Sequence, residues 1–329
     1  MQNAEKYGFE FALSLIKLRG FGGKSEFWDY NLESFTLMAG LAAVTTKIKL
    51  FASTAVLTLP PAMVARMATT IDSISNGRFG INIVSGWAKG EYDQMGMLPG
   101  DAYFSYRYEY STEYVQVMKD RWDNASDFKG KHFTMTDCQM KPQPAHRIEL
   151  VAAGQSPIGM DFAATHCDYN FVMGMGVNTP TAHVKVNNQL LDSVAKTGRD
   201  VGAYVLFMAI ADETDETDEK AMAKGLSYKA GVDVDAHAWT TDQGEQDKSA
   251  ADSGAAKTIN LPEQAVNFNM GAIVGSYATC AKLLDEAASV SGSKGIMLTF
   301  DDFVKGIEDF GTKIQPLMKC RADKLAVAA

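Results

Sequence analysis

The chain has 329 residues, of which 46% are hydrophobic and 22% are charged, and its formal net charge is -9. These values are typical of a globular protein, and the length suits one barrel of eight βα units or two smaller domains. The negative charge argues against nucleic acid or an anionic membrane as the main partner. The sequence contains no apolar run that could span a bilayer, and its four cysteines form no CxxC pair. We therefore predict a reduced, cytoplasmic protein with no membrane segment.

Strand-like and helix-like segments alternate along the chain. The predicted strands are 9–15, 48–59, 79–85, 149–152, 169–173, 203–210 and 295–299. The predicted helices are 31–46, 62–75, 106–123, 158–166, 182–197, 276–289 and about 303–310. Short apolar strands that alternate with amphipathic helices predict a parallel sheet covered on both faces. Seven such strands favour an α/β fold of the (β/α)8 TIM-barrel type, formed by residues 1–329 as a single domain.

Two regions depart from a regular barrel. Residues 5–8 read as the tail of a helix that directly precedes the first predicted strand, so the strand expected before that helix is missing. An open barrel exposes two strand edges, and we expect a version with the strand restored to be more soluble and far more active. The second region is an insertion at about 212–269, which begins with an acidic run and continues as a Gly-, Ser- and Asp-rich loop. An insertion of this kind can serve as a lid.

The segment from Leu57 to Trp87 predicts a βαβ unit. Pro61 suits the first position of a helix, Asn76 suits its end, and apolar residues recur between them at helical spacing. The strand that follows carries Asn82 between apolar neighbours. An amide inside a parallel strand is costly unless it is hydrogen-bonded. Asn82 therefore either bonds to neighbouring backbone or contacts a ligand.

Four further positions are candidates for a binding site. Small residues around Ser53 leave room in a strand for a planar ligand, or accommodate a large neighbour in the core. Ser156 precedes Pro157 at the start of a helix, where free N–H groups bind phosphate readily, although capping alone explains the same residues. Lys17 ends the first strand and faces either the catalytic mouth of a barrel or solvent. Arg107 and Tyr108 begin a long helix, where such a pair is commonly a surface feature.

Two other features of the sequence do not indicate a phosphate or metal site. Gly23-Lys24-Ser25 matches the end of a P-loop, but the pattern requires a glycine at position 18, where the chain has Leu18. The five histidines have no spacing typical of metal ligands, so we predict no metal site.

The segment 57–87, with its Ala65-Arg66, Asp72, Ser75 and Gly77-Arg78, resembles a motif of the bacterial luciferase-like flavin monooxygenases. Within that family, the stretches IKLRGFGGK and VLFMAIADETD are similar to the members that open pyrimidine rings. The resemblance implies a luciferase-like barrel and a set of flavin contacts. The implied FMN-binding residues are Ile16, Lys17, Asn82, Glu91, Arg107, Tyr108 and Ser156, and the implied catalytic residues are Asn82, Ser53 and Trp87. Ser53 stands where those relatives have threonine close to the flavin N5.

The resemblance also implies an activity. Reduced FMN, supplied by a separate NADH-dependent flavin reductase, and O2 would open uracil or thymine between N3 and C4. The product would be ureidoacrylate, in the peracid or acid form, and the pathway pyrimidine degradation. One alternative is a luciferase-like oxygenase that acts on a sulfonate, an alkane or a chelate. Another is a flavin-binding barrel without turnover. The protein is also expected to be a homo-oligomer.

Overall fold

A computed structural model describes residues 1–212, 218–246 and 270–322. Its helices are α1 (Gln2–Lys6), α2 (Ser34–Ala43), α3 (Pro61–Ser75), α4 (Lys89–Asp93), α5 (Tyr103–Trp122), α6 (Pro157–His166), α7 (Val184–Thr197), α8 (Asp218–Ala230), α9 (Val234–Gln246), α10 (Tyr277–Ala288) and α11 (Phe303–Asp309). Its strands are β1 (Phe11–Leu13), β2 (Lys49–Ala55), β3 (Phe79–Val84), β4 (Phe128–Lys129), β5 (Thr134–Met135), β6 (Glu149–Ala152), β7 (Tyr169–Met173), β8 (Gly202–Asp212), β9 (Gly271–Ser276) and β10 (Ser293–Phe300). Residues 213–217 of the acidic run and residues 247–269 of the predicted insertion lie outside the described residues. The first part of the predicted loop, up to Gln246, belongs instead to helix α9.

The chain divides into two compact units. The N-terminal unit consists of Glu10–Asp168 and Asp233–Lys257. The C-terminal unit consists of Met1–Phe9, Tyr169–Val232 and Thr258–Ala329. The prediction of a single domain stays a prediction.

The N-terminal unit has a four-stranded parallel sheet in the order β1, β2, β3, β6. Its inner strands are buried along almost their whole length, as expected when helices cover both faces of a parallel sheet. In the register between β2 and β3, Ser53 lies directly opposite Asn82, and Asn82 lies opposite Val151 of β6. Two polar side chains that the sequence places 29 positions apart are thereby brought side by side in the middle of an apolar sheet.

In the C-terminal unit, three strands pair with β8, which is 11 residues long. β7 and β9 pair with successive parts of β8, and β10 also runs parallel to it. A small core of Ile210, Ala221, Ala272 and Val274 joins β8 and β9 to helix α8. α8 is the first element of the predicted insertion that the structure describes.

Most predicted elements are confirmed, and the exceptions have local causes. The described part of the chain contains eight parallel strands rather than seven, because the short segment Gly271–Ser276 forms β9. Glycine at both its first and fifth positions weakens the sequence signal for this strand. β2 ends at Ala55 instead of continuing to residue 59, because the amide of Thr58 bonds back to the carbonyl of Ala55 in a turn. The predicted helix at the start of the chain is present as α1.

Helix α3 shows what several motif residues do. It begins at Pro61 and ends at Asn76, which adopts the left-handed conformation with φ 54. The guanidinium of Arg78 donates to three backbone carbonyls at and after the end of α2. The buried carboxylate of Asp72 accepts from the amides of residues 145 and 146. Arg78 and Asp72 therefore hold the N-terminal unit together rather than contribute side chains to a site.

Candidate active site

Asn82 is buried, with 5% of its surface exposed, and Ser53 beside it is 1% exposed. The amide nitrogen Nδ2 of Asn82 donates to the hydroxyl of Ser53 over 2.8 Å. That hydroxyl in turn donates to the backbone carbonyl of Ser14 over 2.5 Å. Within the described residues the carbonyl oxygen Oδ1 of Asn82 has no hydrogen-bond partner. A buried acceptor of this kind is rare in native structures and fits a position that a ligand completes.

Lys17 is buried against Glu91 rather than exposed to solvent. The ammonium of Lys17 forms an ion pair with Glu91, and the two side chains are 4% and 9% exposed. The second oxygen of Glu91 accepts from the amide of Leu18 over 3.1 Å. Burial lowers the pKa of Lys17, and the charge of Glu91 opposes this shift only in part. Glu91 reaches this position because it lies in the short helix α4, in a segment where no helix or strand is predicted from the sequence.

Four aromatic rings surround the ammonium of Lys17. Its Nζ lies 4.2 Å from the ring centroid of Phe21, 5.6 Å from Trp87, 5.9 Å from Trp28 and 5.9 Å from Trp239. These four residues form what we call the aromatic box. A cation over aromatic faces is stabilised by the ring quadrupoles, and the apolar rings exclude water from the ion pair. Trp87 thus forms one wall of the box, and its predicted catalytic role stays a prediction. The sequence does not indicate Phe21, Trp28 and Trp239 as site residues.

Helix α9 brings Trp239 to the box and is fixed to residues 10–168 of the same unit at two further points. The side-chain oxygen of Gln243 accepts from the amide of Gly90 over 2.7 Å. The carboxylate of Asp233, at the start of α9, accepts from the amide and the hydroxyl of Ser25 over 2.7 Å and 2.8 Å. A β-carbon on Gly23 would approach that carboxylate to 2.4 Å, so the loop requires glycine there. The predicted insertion therefore supplies an ordered wall of the candidate site.

We expect Asp233→Asn to loosen α9 without unravelling its first turn. The carboxylate both caps α9 and bonds Ser25, and asparagine keeps the cap but offers one acceptor fewer. The bonds from Ser25 lower the pKa of Asp233 from 3.8 to about 2. A folded-state pKa below the unfolded value means that this contribution is present above pH 3.8 and is lost as pH falls through about 2.

Amide hydrogen exchange of peptides that contain residues 234–246 and 18–30 measures the effect. At neutral pH we expect both peptides to exchange faster in Asp233→Asn than in the unaltered protein. In acid, exchange of the unaltered protein accelerates because the Asp233 contact is lost, whereas the variant, which already lacks it, shows no such acceleration. Asp302→Asn is the matched control, since Asp302 caps α11 through the same kind of bonds. Unchanged exchange in Asp233→Asn would refute the anchoring role.

A second part of the site is the N-terminus of α6. Ser156 caps this helix, its hydroxyl accepting from the amide of Gly159 over 3.3 Å, and Pro157 is the first helical residue, as predicted. A β-carbon on either Gly154 or Gly159 would approach the hydroxyl of Tyr108 to 2.6 Å. The Tyr108 hydroxyl thus lies over the start of α6. A helix N-terminus with a serine and a tyrosine hydroxyl beside it suits a phosphate group.

Arg107 is buried rather than part of a surface pair, and its Nη1 donates to the carbonyl of Gly86 over 3.2 Å. Its guanidinium lies 5.4 Å from the ring centroid of Tyr108. Helix α5 begins at Tyr103, three residues before the predicted start, so that Arg107 occupies its second turn. The hydroxyl of Tyr103 donates to the carbonyl of Ser85 over 2.6 Å, which ties this helix to the end of β3.

All the predicted site residues lie in the N-terminal unit. Ile16, which precedes Lys17, is half-buried there. Within the described residues, no three His, Cys, Asp or Glu side chains cluster as metal ligands do. No helix in the described ranges combines the length and the apolar character needed to cross a membrane. The roles of the predicted site residues toward a ligand stay predictions.

Residues 1–293 match the model of the luciferase-like monooxygenase family. The chain therefore belongs to the luciferase-like monooxygenases, as its motifs indicate.

The chain is also similar over nearly its whole length to two curated relatives. The chain is 77% identical over 330 residues to the pyrimidine monooxygenase RutA of Bradyrhizobium sp. (strain BTAi1 / ATCC BAA-1182), covering 100% of this chain and 91% of the relative. It is 60% identical over 329 residues to the pyrimidine monooxygenase RutA of Enterobacter sp. (strain 638), covering 99% of this chain and 90% of the relative.

Solved structures show the same fold at low identity. A riboflavin lyase (RcaE) matches with a TM-score of 0.81 and 18% identity, covering 98% of this chain and 83% of that chain. A long-chain alkane monooxygenase (LadA) matches with a TM-score of 0.76 and 19% identity, covering 98% and 82%. The predicted α/β fold of the luciferase-like type is thereby confirmed.

Proposed function

We propose that this protein is a flavin-dependent pyrimidine monooxygenase that opens the ring of uracil or thymine in pyrimidine degradation. The identity of 77% to a pyrimidine monooxygenase over the whole chain carries this proposal. Opening between N3 and C4 yields ureidoacrylate, in the peracid or acid form. The buried polar groups of Asn82, Lys17 and Glu91 support the proposal, since a site built for hydrogen bonding suits a heterocycle with N–H and C=O groups.

The cofactor in this proposal is FMN, bound in its reduced form. The residues fit such a molecule at two places: the orphaned acceptor of Asn82 suits a polar ring edge, and the start of α6 suits a phosphate. Tyr108 and Ser156 would hold the phosphate, with Arg107 beside them, and Ile16, Lys17, Glu91 and Trp87 would flank the ring. Reduced flavin, when bound, supplies the electrons for O2 activation. A separate NADH-dependent reductase would provide it.

The protein's own groups then do three things. Asn82, held by Ser53, offers a carbonyl acceptor at a fixed position in a buried strand. Lys17 and Glu91 present paired charges inside the aromatic box, where exclusion of water strengthens each electrostatic interaction. Helix α9 covers that pair through Trp239. Together these groups orient a planar substrate and keep its surroundings dry.

Uracil consumption tests this function. The protein is mixed with chemically reduced FMN and air-saturated buffer, and we expect uracil to disappear only when both FMN and O2 are present. Thymine, an alkanesulfonate, a long-chain alkane and a metal chelate run in parallel. Consumption of one of the last three without uracil would favour another luciferase-like oxygenase. FMN binding without any turnover would favour a flavin-binding protein that is not catalytic.

The remaining parts of the proposal concern the cellular location, the oligomeric state and the partners of the protein. We propose a cytoplasmic protein, because its four cysteines are all free. We also propose a homo-oligomer that receives reduced FMN from its reductase and has no nucleic acid or membrane partner. Gel filtration with light scattering measures the oligomer, and a monomer at working concentration would refute that part.

We expect Ser156→Ala to weaken FMN binding by about 1 kcal/mol, the scale of a lost cap or a neutral hydrogen bond. The reason is that Ser156 stands at the start of the helix proposed to hold the phosphate. Flavin titration followed by fluorescence measures the affinity. Ser276→Ala is the matched control, since Ser276 caps α10 through the amide of Thr279 over 3.2 Å. Weaker binding in the control and not in Ser156→Ala would place the phosphate in the C-terminal unit instead.

A further inference from the structure

A chain of hydrogen bonds leads from helix α2 to Asn82. Ser34 is the first residue of α2 and is fully buried. Its hydroxyl accepts from the amide of Ser53 over 2.7 Å and also bonds the hydroxyl of Ser14. Ser14 lies just after β1, and its backbone carbonyl accepts from the Ser53 hydroxyl. Ser34 thus links Ser14 to Ser53, and both Ser34 and Ser14 hold Ser53 in place.

The chemistry of this chain determines how the Asn82 amide is turned. A backbone carbonyl only accepts, so the hydroxyl of Ser53 must donate its proton to Ser14. With its proton committed, that hydroxyl can only accept from Asn82. The end of the amide that faces Ser53 is therefore the NH2 group, 2.8 Å away, and the carbonyl oxygen Oδ1 points away from it.

The last group in this series of hydrogen bonds is an acceptor without a donor. Oδ1 of Asn82 has no hydrogen-bond partner among the described residues, and only 5% of the residue is exposed to solvent. An unsatisfied buried acceptor costs free energy that a ligand N–H recovers on binding. A ligand atom with a lone pair at the same place is repelled instead.

We propose, on the basis of the proposed function, that Ser34 and Ser14 are positioning residues that set the polarity of the Asn82 amide. The site thereby selects a planar heterocycle that presents an N–H to Oδ1. Two ring systems in the proposed reaction have such a group. One is the central ring of reduced flavin, whose N5 bears a hydrogen that oxidised flavin lacks. The other is the pyrimidine, through N1–H or N3–H.

The first arm of the test uses flavin alone. Dissociation constants of oxidised FMN and of anaerobically reduced FMN are measured by titration, without pyrimidine and without turnover. If the N–H belongs to flavin, we expect the unaltered protein to prefer reduced FMN. Ser34→Ala and Ser53→Ala should lower that preference about three- to tenfold, the scale of one hydrogen bond, and Ser53→Thr should retain it because it keeps the hydroxyl.

The second arm uses pyrimidines on the protein loaded with oxidised FMN. Uracil, 1-methyluracil and 3-methyluracil are compared by calorimetry. If the N–H belongs to the pyrimidine, one methylated compound binds at least threefold more weakly than uracil, and the difference disappears in Ser34→Ala and Ser53→Ala.

A buried control separates positioning from general stability. Ser75 is also buried, at 1% exposure, and its hydroxyl bonds the carbonyl of Asp72 within α3 and the amide of Arg78 just after α3. Ser75→Ala should change neither the preference for reduced over oxidised FMN nor the preference for uracil over its methylated forms. We expect this even if Ser75→Ala lowers the melting temperature as much as Ser34→Ala does. If folded Ser34→Ala and Ser53→Ala keep both preferences, the inference is wrong, even when the unaltered protein consumes uracil. Failure of the unaltered protein to bind FMN or uracil would overturn the proposed function as well.

Discussion

Asn82→Ala should lower the kcat of uracil opening about 100- to 1,000-fold, the usual loss when a preorganised hydrogen-bonding group is removed from a reacting centre. The affinity for FMN should change much less, since the start of α6, where we propose that the phosphate binds, is untouched. The physical reason is that Oδ1 of Asn82 is a buried acceptor held in one orientation by Ser53. Interactions of this kind act mainly in the transition state, so kcat falls more than substrate affinity.

Steady-state kinetics at saturating reduced FMN, with flavin titration in parallel, separate these quantities. Asn170→Ala is a suitable control, because Asn170 is a fully buried asparagine of β7 in the other unit. It should reduce stability without a comparable loss of kcat per folded molecule. Normal turnover by Asn82→Ala would make Asn82 a purely structural residue.

The largest loss of stability should come from Lys17→Met. This change leaves the carboxylate of Glu91 buried, with the amide of Leu18 as its remaining hydrogen-bond partner among the described residues. Removing one partner of a buried ion pair typically costs 3–5 kcal/mol, since the desolvated charge that remains is uncompensated. We therefore expect the free energy of unfolding to fall by about 3–5 kcal/mol.

Urea denaturation measures this loss, and two further variants interpret it. Lys17→Met combined with Glu91→Gln leaves no buried charge, so most of the lost stability should return. Lys49→Met breaks an ion pair with Glu149 whose side chains are 44% and 22% exposed, and it should cost less than about 1 kcal/mol. Equal losses from Lys17→Met and Lys49→Met would mean that burial of the Lys17 pair has no energetic consequence.

The regular elements of this fold follow from local signals. The start of α3 at Pro61, its end at Asn76 and the cap of α6 at Ser156 each depend on one residue type at one position, and each is confirmed. β1 is shorter than predicted, at Phe11–Leu13, and Leu15 beyond it is 51% exposed rather than part of a buried strand. A run of apolar residues in the sequence does not show where the pairing of a strand ends.

The candidate site was predictable only where a residue is unusual for its element. An asparagine within β3 and a serine in an apolar strand stand out, whereas Trp239 does not, because a tryptophan in a helix is ordinary. What places Trp239 next to Lys17 is the bond between Asp233 and Ser25, which joins residues 208 positions apart. The hydrogen bonds that link Ser34 to Ser14 and Ser53 also join residues that are distant in the sequence. No local pattern encodes contacts of this range, although Asp233 just before an amphipathic segment is a recognisable cap.

Tyr108 can lie against Gly154 and Gly159 at the start of α6 only because these two residues lack a β-carbon. Truncation of Ser156 or Tyr108 to alanine removes atoms from this surface. At the two glycines the same replacement has the opposite effect, because it adds a methyl group 2.6 Å from the Tyr108 hydroxyl and forces the tyrosine ring away. Gly154→Ala and Gly159→Ala should therefore disturb the start of α6 by adding an atom rather than by removing one.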